Sequence, residues 1–399
     1  MTKPLRIGLI MQGGKDWIGG SQYIKNIIFA LSSLPKEVRE TFEICLICNK
    51  SFDLKEYETI SDSLNHTYYL ESELEPFTIA NRLRWLFKRK FYKQVYPRFD
   101  EFIARKNIDF LYPYFINNKL KSSYKSATWI ADFQHKYLPD FFTSQELNQR
   151  DESISLIANQ ASTIVVSSKA AESDLIKFFP EAQGKSKVLT FKTSLPEEYF
   201  TQDAIAIQNK YHLPDRFLIV CNQFWQHKNH KLIFQALKLL HQQSIFPKIV
   251  CTGHLYDGRQ PDYINDILQS THQLGISNQI YLLGLIPRFD QIQLMRCSQA
   301  VIQPSLFEGW STVVEDARCL GKSMILSDIP VHLEQNPPNS IYFKRNSADD
   351  LAAAIAQYWE HPLVQPSLEQ EAIARAINLK QVQKFGDRFL AIAHACFSQ

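Results

Sequence analysis

Residues 304–330 read PSLFEGWSTVVEDARCLGKSMILSDIP. Just before them, Gln299–Gln303 (QAVIQ) has a short apolar centre and then meets Pro304, which suits a strand ending at a turn. Thr312-Val-Val-Glu315 has the spacing of a capping box. Thr312 is the expected N-cap, its hydroxyl accepting from a first-turn N–H, and Glu315 is expected to reach back to the Thr312 amide. Ala317, Cys319 and Leu320 continue a short helix. Gly321 is expected to end it, because glycine takes the left-handed conformation at little cost. Met324–Ser327 then reads as the next strand. Glu308 falls on the strand-to-helix loop, with six residues between it and Glu315. A helix N-terminus that follows a small-residue loop can hold a phosphate. Two readings stay open from this fragment: the carboxylates serve a ligand, or Glu315 caps the helix and Glu308 sits in water.

The pattern repeats along the chain. Apolar runs in the first half predict strands at Arg6–Met11, Glu43–Cys48, Asp109–Tyr114, Ala127–Ala131, Thr163–Ser167 and Lys187–Phe191. The second half adds Phe217–Cys221, Lys248–Thr252, Ile280–Leu285, Ala300–Pro304, Ser323–Ser327 and Ser340–Phe343. Strands alternating with helical patterns mean parallel sheets covered on both faces. The expected fold is therefore α/β, with two doubly wound Rossmann-like domains facing across a cleft. The predicted domains are residues 1–200 and 201–380, with the join near 195–213. A helix over 381–399 is expected to pack back toward the first domain. Ligands of such sheets bind beyond the carboxyl ends of the strands.

Composition excludes several classes. The chain has 399 residues, 44 basic and 41 acidic, so its net charge is +3. That balance argues against nucleic acid as a partner. The seven cysteines are scattered. Cys45 and Cys48 form a C-x-x-C inside the apolar run FEICLIC, which reads as a buried strand rather than a redox or metal pair. The start of the chain lacks a secretory signal pattern, and no apolar stretch reaches the 18 residues of a membrane span. A reducing, cytoplasmic setting is expected.

Glycine is sparse, 13 in all, yet four fall in the stretch QGGKDWIGGSQ between Gly13 and Gly20. They follow the first predicted strand and precede a helical pattern of Tyr23, Ile24, Ile27, Ile28 and Leu31. This is where a turn lets backbone approach a ligand. The spacing is not G-x-G-x-x-G, and no P-loop lysine follows.

Taken together, the segment PSLFEGWSTVVEDARCLGK…SDIPVHLE resembles the donor-site signature of retaining glycosyltransferases of family 4, which have the GT-B fold. The resemblance extends over most of the chain. The Gly13–Gly20 turn fits that family's first loop, and DFQH at Asp132–His135 fits its acceptor-side histidine segment. NQFWQHKNH at Asn222–His230 fits its phosphate-binding segment. Two departures stand out. The family usually places seven residues between its glutamates, so Asp316 competes with Glu315 for the second position. The family often has an arginine five positions before its phosphate-contacting lysine, and counting back from Lys228 gives Gln223. Lys231 or Arg318 is then a candidate second cation.

The resemblance implies transfer of a hexose from a UDP- or GDP-sugar to a glycan or lipid-linked acceptor, with retention of configuration and no cofactor or metal. The chain has no D-x-D motif. A nucleotide diphosphate leaving group gains negative charge as the glycosidic bond breaks, so fixed donors and a cation must face it. Lys228 is the expected cation, and the amides of the Gly309-Trp310-Ser311-Thr312 stretch are the expected donors. Glu315 is suited to the ribose hydroxyls and Glu308 to the donor sugar. His135 is implied to touch the reacting sugar, and Gly19 and Gly20 to approach the donor. Two other functions remain open: a nucleotide-sugar 2-epimerase of the same fold, and a non-catalytic nucleotide-sugar-binding subunit.

One stretch is left over. ANRLRWLFKRKFYKQVYPRF, Ala80 to Phe99, interleaves seven bases with aromatic and aliphatic residues and contains no acid. It reads either as a helix on an anionic membrane surface, peripheral at the inner face, or as a helix packing its aromatics inward and solvating its charges.

Overall fold

A computed structural model describes residues 3–14, 18–50, 58–91, 96–115, 124–363 and 365–398, the side chains of 58, 59 and 89–91 excepted. The chain forms two compact units. One comprises residues 1–132, 148–192 and 379–399, and the other 133–147 and 193–378.

In the first unit the strands are β1 (Leu5–Ile10), β2 (Phe42–Cys48), β3 (His66–Tyr69), β4 (Phe110–Tyr112), β5 (Lys125–Ser126), β6 (Thr128–Ile130), β7 (Ile164–Val166) and β8 (Ser186–Val188). They make a sheet of order β3-β2-β1-β4-β5 and a second of order β6-β7-β8, and every pairing is parallel. Where six strands were expected, the described residues of this unit hold eight. The strand predicted at Ala127–Ala131 is β6, and the unpredicted β5 comes just before it; between the two, Ala127 N–H bonds Leu111 O and its carbonyl accepts from Tyr114 N–H. That residue hands the chain from one sheet to the other. β3 was missed because HTYY has too little apolar pattern to stand out.

Cys45 and Cys48 are buried in β2. Three positions apart on a strand, they point to opposite faces and cannot share a metal. Burial pushes both thiols up to about 11, so they stay protonated. The helix Ile18–Ser32 buries Tyr23, Ile24, Ile27, Ile28 and Leu31, the set that its helical period predicts. Part of that cover comes from the far end of the chain. The helix Leu368–Ala395 reaches this unit in its C-terminal half, where Gln383 Nε2 donates to Ser33 O at 2.9 Å.

The second unit holds β9 (Leu218–Cys221), β10 (Ile249–Thr252), β11 (Ile280–Gly284), β12 (Val301–Gln303), β13 (Met324–Ser327) and β14 (Ser340–Phe343). Their order is β11-β10-β9-β12-β13-β14, all parallel. This is the doubly wound order 3-2-1-4-5-6, with its switch point between β9 and β12. Alternate residues enter opposite cores. Leu218 and Val220 pack with helices His230–Gln242 and Ala348–Glu360, while Ile219 and Cys221 pack with Arg288–Cys297 and Thr312–Cys319. Covered on both faces, these strands read as unbroken apolar runs.

Close helix packing in the first unit gives a test. Gly386 lies so near the helix Ile18–Ser32 that a Cβ would stand 2.6 Å from Ala30 O and 3.3 Å from Leu34 Cδ2. Gly→Ala inside a helix normally stabilises. Here overpacking against backbone should reverse the sign, with Gly386→Ala losing about 1–3 kcal/mol in urea unfolding. A rise in stability would show that this helix pair has room to part.

Candidate active site at the switch point of the second sheet

The loops after β9, β10, β12 and β13 converge at the carboxyl ends of these strands. Asn222, just past β9, donates from Nδ2 to Gln303 Oε1 at the end of β12 at 2.9 Å. Gly253, just past β10, has φ +132°, and a Cβ there would stand 2.2 Å from Asn222 O. Glycine is required at that position for the two loops to touch. Phe224 N–H then bonds His254 O, and Gln226 N–H bonds Asp257 Oδ2. These ties hold the short turn Gln226–Lys228. Asn229 follows in the left-handed region at φ 57°, and the helix His230–Gln242 begins.

Lys228 Nζ lies 2.6 Å from Glu308 Oε1, with the two side chains 13% and 10% exposed. The same oxygen accepts from Gln303 Nε2 at 2.9 Å and Ser305 Oγ at 2.6 Å. Glu308 is therefore not a solvated loop residue. Burial alone pushes its pKa up, but the Lys228 ammonium and the Ser305 hydroxyl outweigh that and hold it below its usual value. The carboxylate stays ionised.

The helix Thr312–Cys319 differs from expectation in its cap. Ser311 is the N-cap, and its hydroxyl accepts from Val314 N–H at 3.4 Å. Thr312 is the first helical residue. Glu315 is thus one position too late for the capping box. It turns instead to Gln335 Nε2 at 2.9 Å and Arg318 Nε at 3.3 Å. Gln335 also accepts from Ser311 N–H and donates to Ser311 O, so the Ser311 amide is engaged. The helix-start N–H groups of Thr312 and Val313 have no acceptor within the helix. They are the donors this site can aim at an anion. Gly309 precedes them on the loop, and Trp310 is 8% exposed.

Asp316 is buried and faces elsewhere. Its Oδ1 lies 2.6 Å from Arg288 Nη2, and both Asp316 oxygens lack a well-aligned hydrogen bond among the described residues. A buried carboxylate in that condition has acceptor capacity to offer a ligand. Glu315 and Asp316 are thus both buried and ion-paired, the first with Arg318 and the second with Arg288. The candidate second cations are committed as well. Lys231 pairs with Asp266 at 3.3 Å, and Arg318 donates to Gln335 O and pairs with Glu315.

A further set of buried polar residues supports Glu308 from below. His332 Nδ1 lies 3.0 Å from Ser327 O and 3.1 Å from Ser327 Oγ. Ser327 Oγ donates to Ser305 O at 2.6 Å, and Ser305 Oγ donates to Glu308. His332, Gln335, Ser305, Gln303 and Arg288 were not singled out from sequence. SDIPVHLE was noticed as a segment, but its histidine carried no signal beyond the segment.

His135 lies in the short helix Gln134–Tyr137, and residues 133–147 group with the second unit. It is 2% exposed and lies edge-on to Phe142, with ring centroids 6.4 Å apart. Two residues on, Tyr137 stacks on Phe307, the neighbour of Glu308, at 5.4 Å. Gly19 and Gly20 belong to the first unit. They sit in the first turn of the helix Ile18–Ser32 rather than in the preceding turn, and Gly20 is buried. Among the described residues of that region, Gly13 takes a positive φ, at 72°.

Three buried histidines give this site a pH signature. Burial, with the Lys228 charge nearby, lowers His230 to about 3 and His227 well below 6.5. Burial also lowers His332 to about 4, against the opposing pull of Glu308. The unfolded chain takes up these protons near 6.5, and the folded chain does not until far lower pH. Stability therefore rises with pH across that window and is lost as pH falls. Glu308 adds the same sign only below its ordinary 4.5. Melting temperature should fall steadily from about pH 6.5 to 4.5. His332→Asn, which keeps an N–H for Ser327, should flatten the slope; an unchanged slope would mean that His332 titrates normally.

Comparison with known proteins agrees with this geometry. Residues 202–378 match the family glycosyl transferases group 1. The chain is 20% identical over 306 residues to the O-antigen chain mannosyltransferase B of Escherichia coli, covering 74% of this chain and 75% of that one. It is 25% identical over 178 residues to a serotype-specific mannosyltransferase of E. coli, WbdA, covering 43% of this chain and 21% of that longer protein. Among solved structures, HepE of Anabaena in complex with UDP and glucose superposes with TM-score 0.66 at 16% identity, over 98% of this chain and 100% of that one. Sucrose-phosphate synthase of Thermosynechococcus elongatus superposes with TM-score 0.61 at 14% identity, over 99% and 98%. Residues 202–378 thus carry a glycosyl transferases group 1 domain, and the strand order and the superpositions give the chain the GT-B fold.

Proposed function

We propose that this protein is a retaining, metal-independent glycosyltransferase that moves a hexose from a UDP- or GDP-sugar to a glycan or lipid-linked acceptor in cell-surface polysaccharide or glycolipid synthesis. The observation that carries the reading is the Lys228–Glu308 pair at the switch point of β9 and β12. It sets one cation and one ionised carboxylate beside a helix N-terminus, where a doubly wound sheet binds its ligand. The mannosyltransferase relatives and the UDP-bound structural neighbour support the same class.

In this reading Lys228 and the amides of Thr312 and Val313 face the diphosphate and take up the charge that grows on it as the bond to the sugar breaks. Glu308 accepts from hydroxyls of the donor sugar. Asp316, beside Arg288, accepts from the ribose. His135 contacts the sugar at the reacting carbon. The acceptor hydroxyl attacks from the face that the phosphate leaves, and the leaving phosphate takes its proton.

Incubation with UDP-, GDP- and ADP-hexoses, read as nucleotide diphosphate release with and without glycan acceptors, tests the class. Conversion of a donor with no acceptor present would favour the isomerase. Lys228→Ala should weaken donor binding about ten- to hundredfold by calorimetry, the effect of losing a charge-assisted contact of roughly 1.5–3 kcal/mol. Glu308→Gln should lower kcat severely with a smaller change in donor affinity. It should also cost roughly 2–3 kcal/mol of stability, because Lys228 loses a mostly buried partner. Turnover by Glu308→Gln near that of the parent would remove Glu308 from the reaction, and rates abolished by EDTA would overturn the metal-independent part.

A further inference from the structure

Lys228 shares its charge with Glu308, and the position five before it is the uncharged Gln223. A diphosphate that gains charge as it leaves calls for a second cation. Lys231 is held by Asp266, and Arg318 by Glu315 and Gln335 O. Arg288 Nη2 lies 2.6 Å from the buried Asp316. Arg259 is differently placed. It stands in the loop that starts at Gly253 and joins β10 to the helix Tyr263–Gln273. Its side chain is 25% exposed, and Nε lies 3.7 Å from Asp257 Oδ1, beyond hydrogen-bond length. Among the described residues its guanidinium donates no hydrogen bond.

Asp257 decides where that guanidinium stands. The carboxylate is 4% exposed, and both its oxygens hold backbone amides. Oδ2 accepts from Gln226 N–H at 3.2 Å, and Oδ1 accepts from Arg259 N–H at 3.1 Å. Gln226 begins the turn that carries Lys228. One buried carboxylate therefore fixes the backbone beside both cations. Gln260 N–H bonds Asp257 O, and Tyr263 N–H bonds Gln260 O, so the loop is a run of tight turns. Phe142 fixes the side chain. Arg259 Cζ lies 4.8 Å from the centroid of its ring, and that ring lies edge-on to His135. Stacking covers one face of a guanidinium and leaves its N–H rim for an oxyanion. The two cations are also neighbours of one buried histidine. Burial holds His227 well below 6.5, and the charges of Lys228 and Arg259 add to that.

We propose that Arg259 is the second cation of the donor site, its N–H rim binding the diphosphate together with Lys228 in the role that Gln223 cannot fill. The phosphate concerned is the one that bears the sugar, because the ring under Arg259 adjoins His135, the residue assigned to the reacting carbon. A planar guanidinium can take two oxygens of that phosphate at once, which an ammonium cannot. The inference deepens the glycosyl-transfer reading and rests on it.

The test is calorimetry of the full-length protein with UDP, GDP and ADP, and with the matching monophosphates. Arg259→Gln should weaken the diphosphate that the parent prefers about tenfold, the low end for a charge-assisted contact at a partly exposed group, and leave its monophosphate within about twofold. Arg259→Lys, which keeps the charge without the fork, should recover part of the loss. Without nucleotide, both variants should give the circular dichroism spectrum of the parent, since the guanidinium holds no hydrogen bond in the fold. Equal diphosphate affinity in the parent and Arg259→Gln would overturn the proposal. So would equal losses for diphosphate and monophosphate, which would make Arg259 a support of the loop. A parent that binds none of the three diphosphates would overturn the glycosyl-transfer reading and this proposal with it.

Discussion

A lysine and a glutamate 2.6 Å apart and largely out of water impose demands on everything around them. Removing both charges from water costs more than their attraction returns unless further hydrogen bonds complete the carboxylate. Glu308 obtains those bonds from Gln303 and Ser305. Gln303 can supply one because it is the last residue of β12, and its other amide atom is held by Asn222 at the end of β9. Those strand ends are neighbours because the sheet runs 3-2-1-4-5-6. The ion pair therefore depends on the topology, and the site forms where the strand order reverses. Ser327 and His332 extend the same support through β13, so three adjacent strand ends meet at one carboxylate.

The helix after that loop shows how much rests on one residue of phase. With Ser311 as the cap, Glu315 and Asp316 are consecutive on a helix and point about 100° apart. One meets Gln335 and Arg318, the other meets Arg288. The two carboxylates thereby receive different work from the same backbone. Glu315 ties the helix to Gln335, and Asp316 is paired with Arg288. The buried histidines follow a related logic. Beside a fixed lysine charge, burial keeps them neutral, so the positive charge at this place is concentrated on Lys228.

The first unit gives a single helix two unlike faces. Trp85, Arg84 and Lys88 are drawn inward by Glu101 and Glu75, and that leaves Ile79, Leu83 and Leu86 outward. Within the basic, aromatic segment the side chains divide. Its tryptophan packs, while its aliphatic residues do not. Glu75 and Glu101 lie outside the segment in sequence, so no local pattern could have shown which bases they would take.

Apolar runs, the capping residues and the order of motifs were enough to specify parallel sheets, two winding units, the glycine stop at Gly321 and the grouping of Lys228 and Glu308 on loops after strands. These are local properties. A buried parallel strand must be apolar on both faces, and a helix end needs a residue that tolerates φ > 0, which Gly321 meets at 67°. Partners across the fold were not legible. That Ser311 rather than Thr312 caps the helix, that Gln335 takes Glu315, and that Arg288 stands against Asp316 are contacts between residues 20 or more positions apart or choices between adjacent equivalents. Spacing along the chain says which groups are available. Only the packing of the strands decides which of them meet, because hydrogen bonds and ion pairs act over a few ångströms of space and take no account of distance along the sequence.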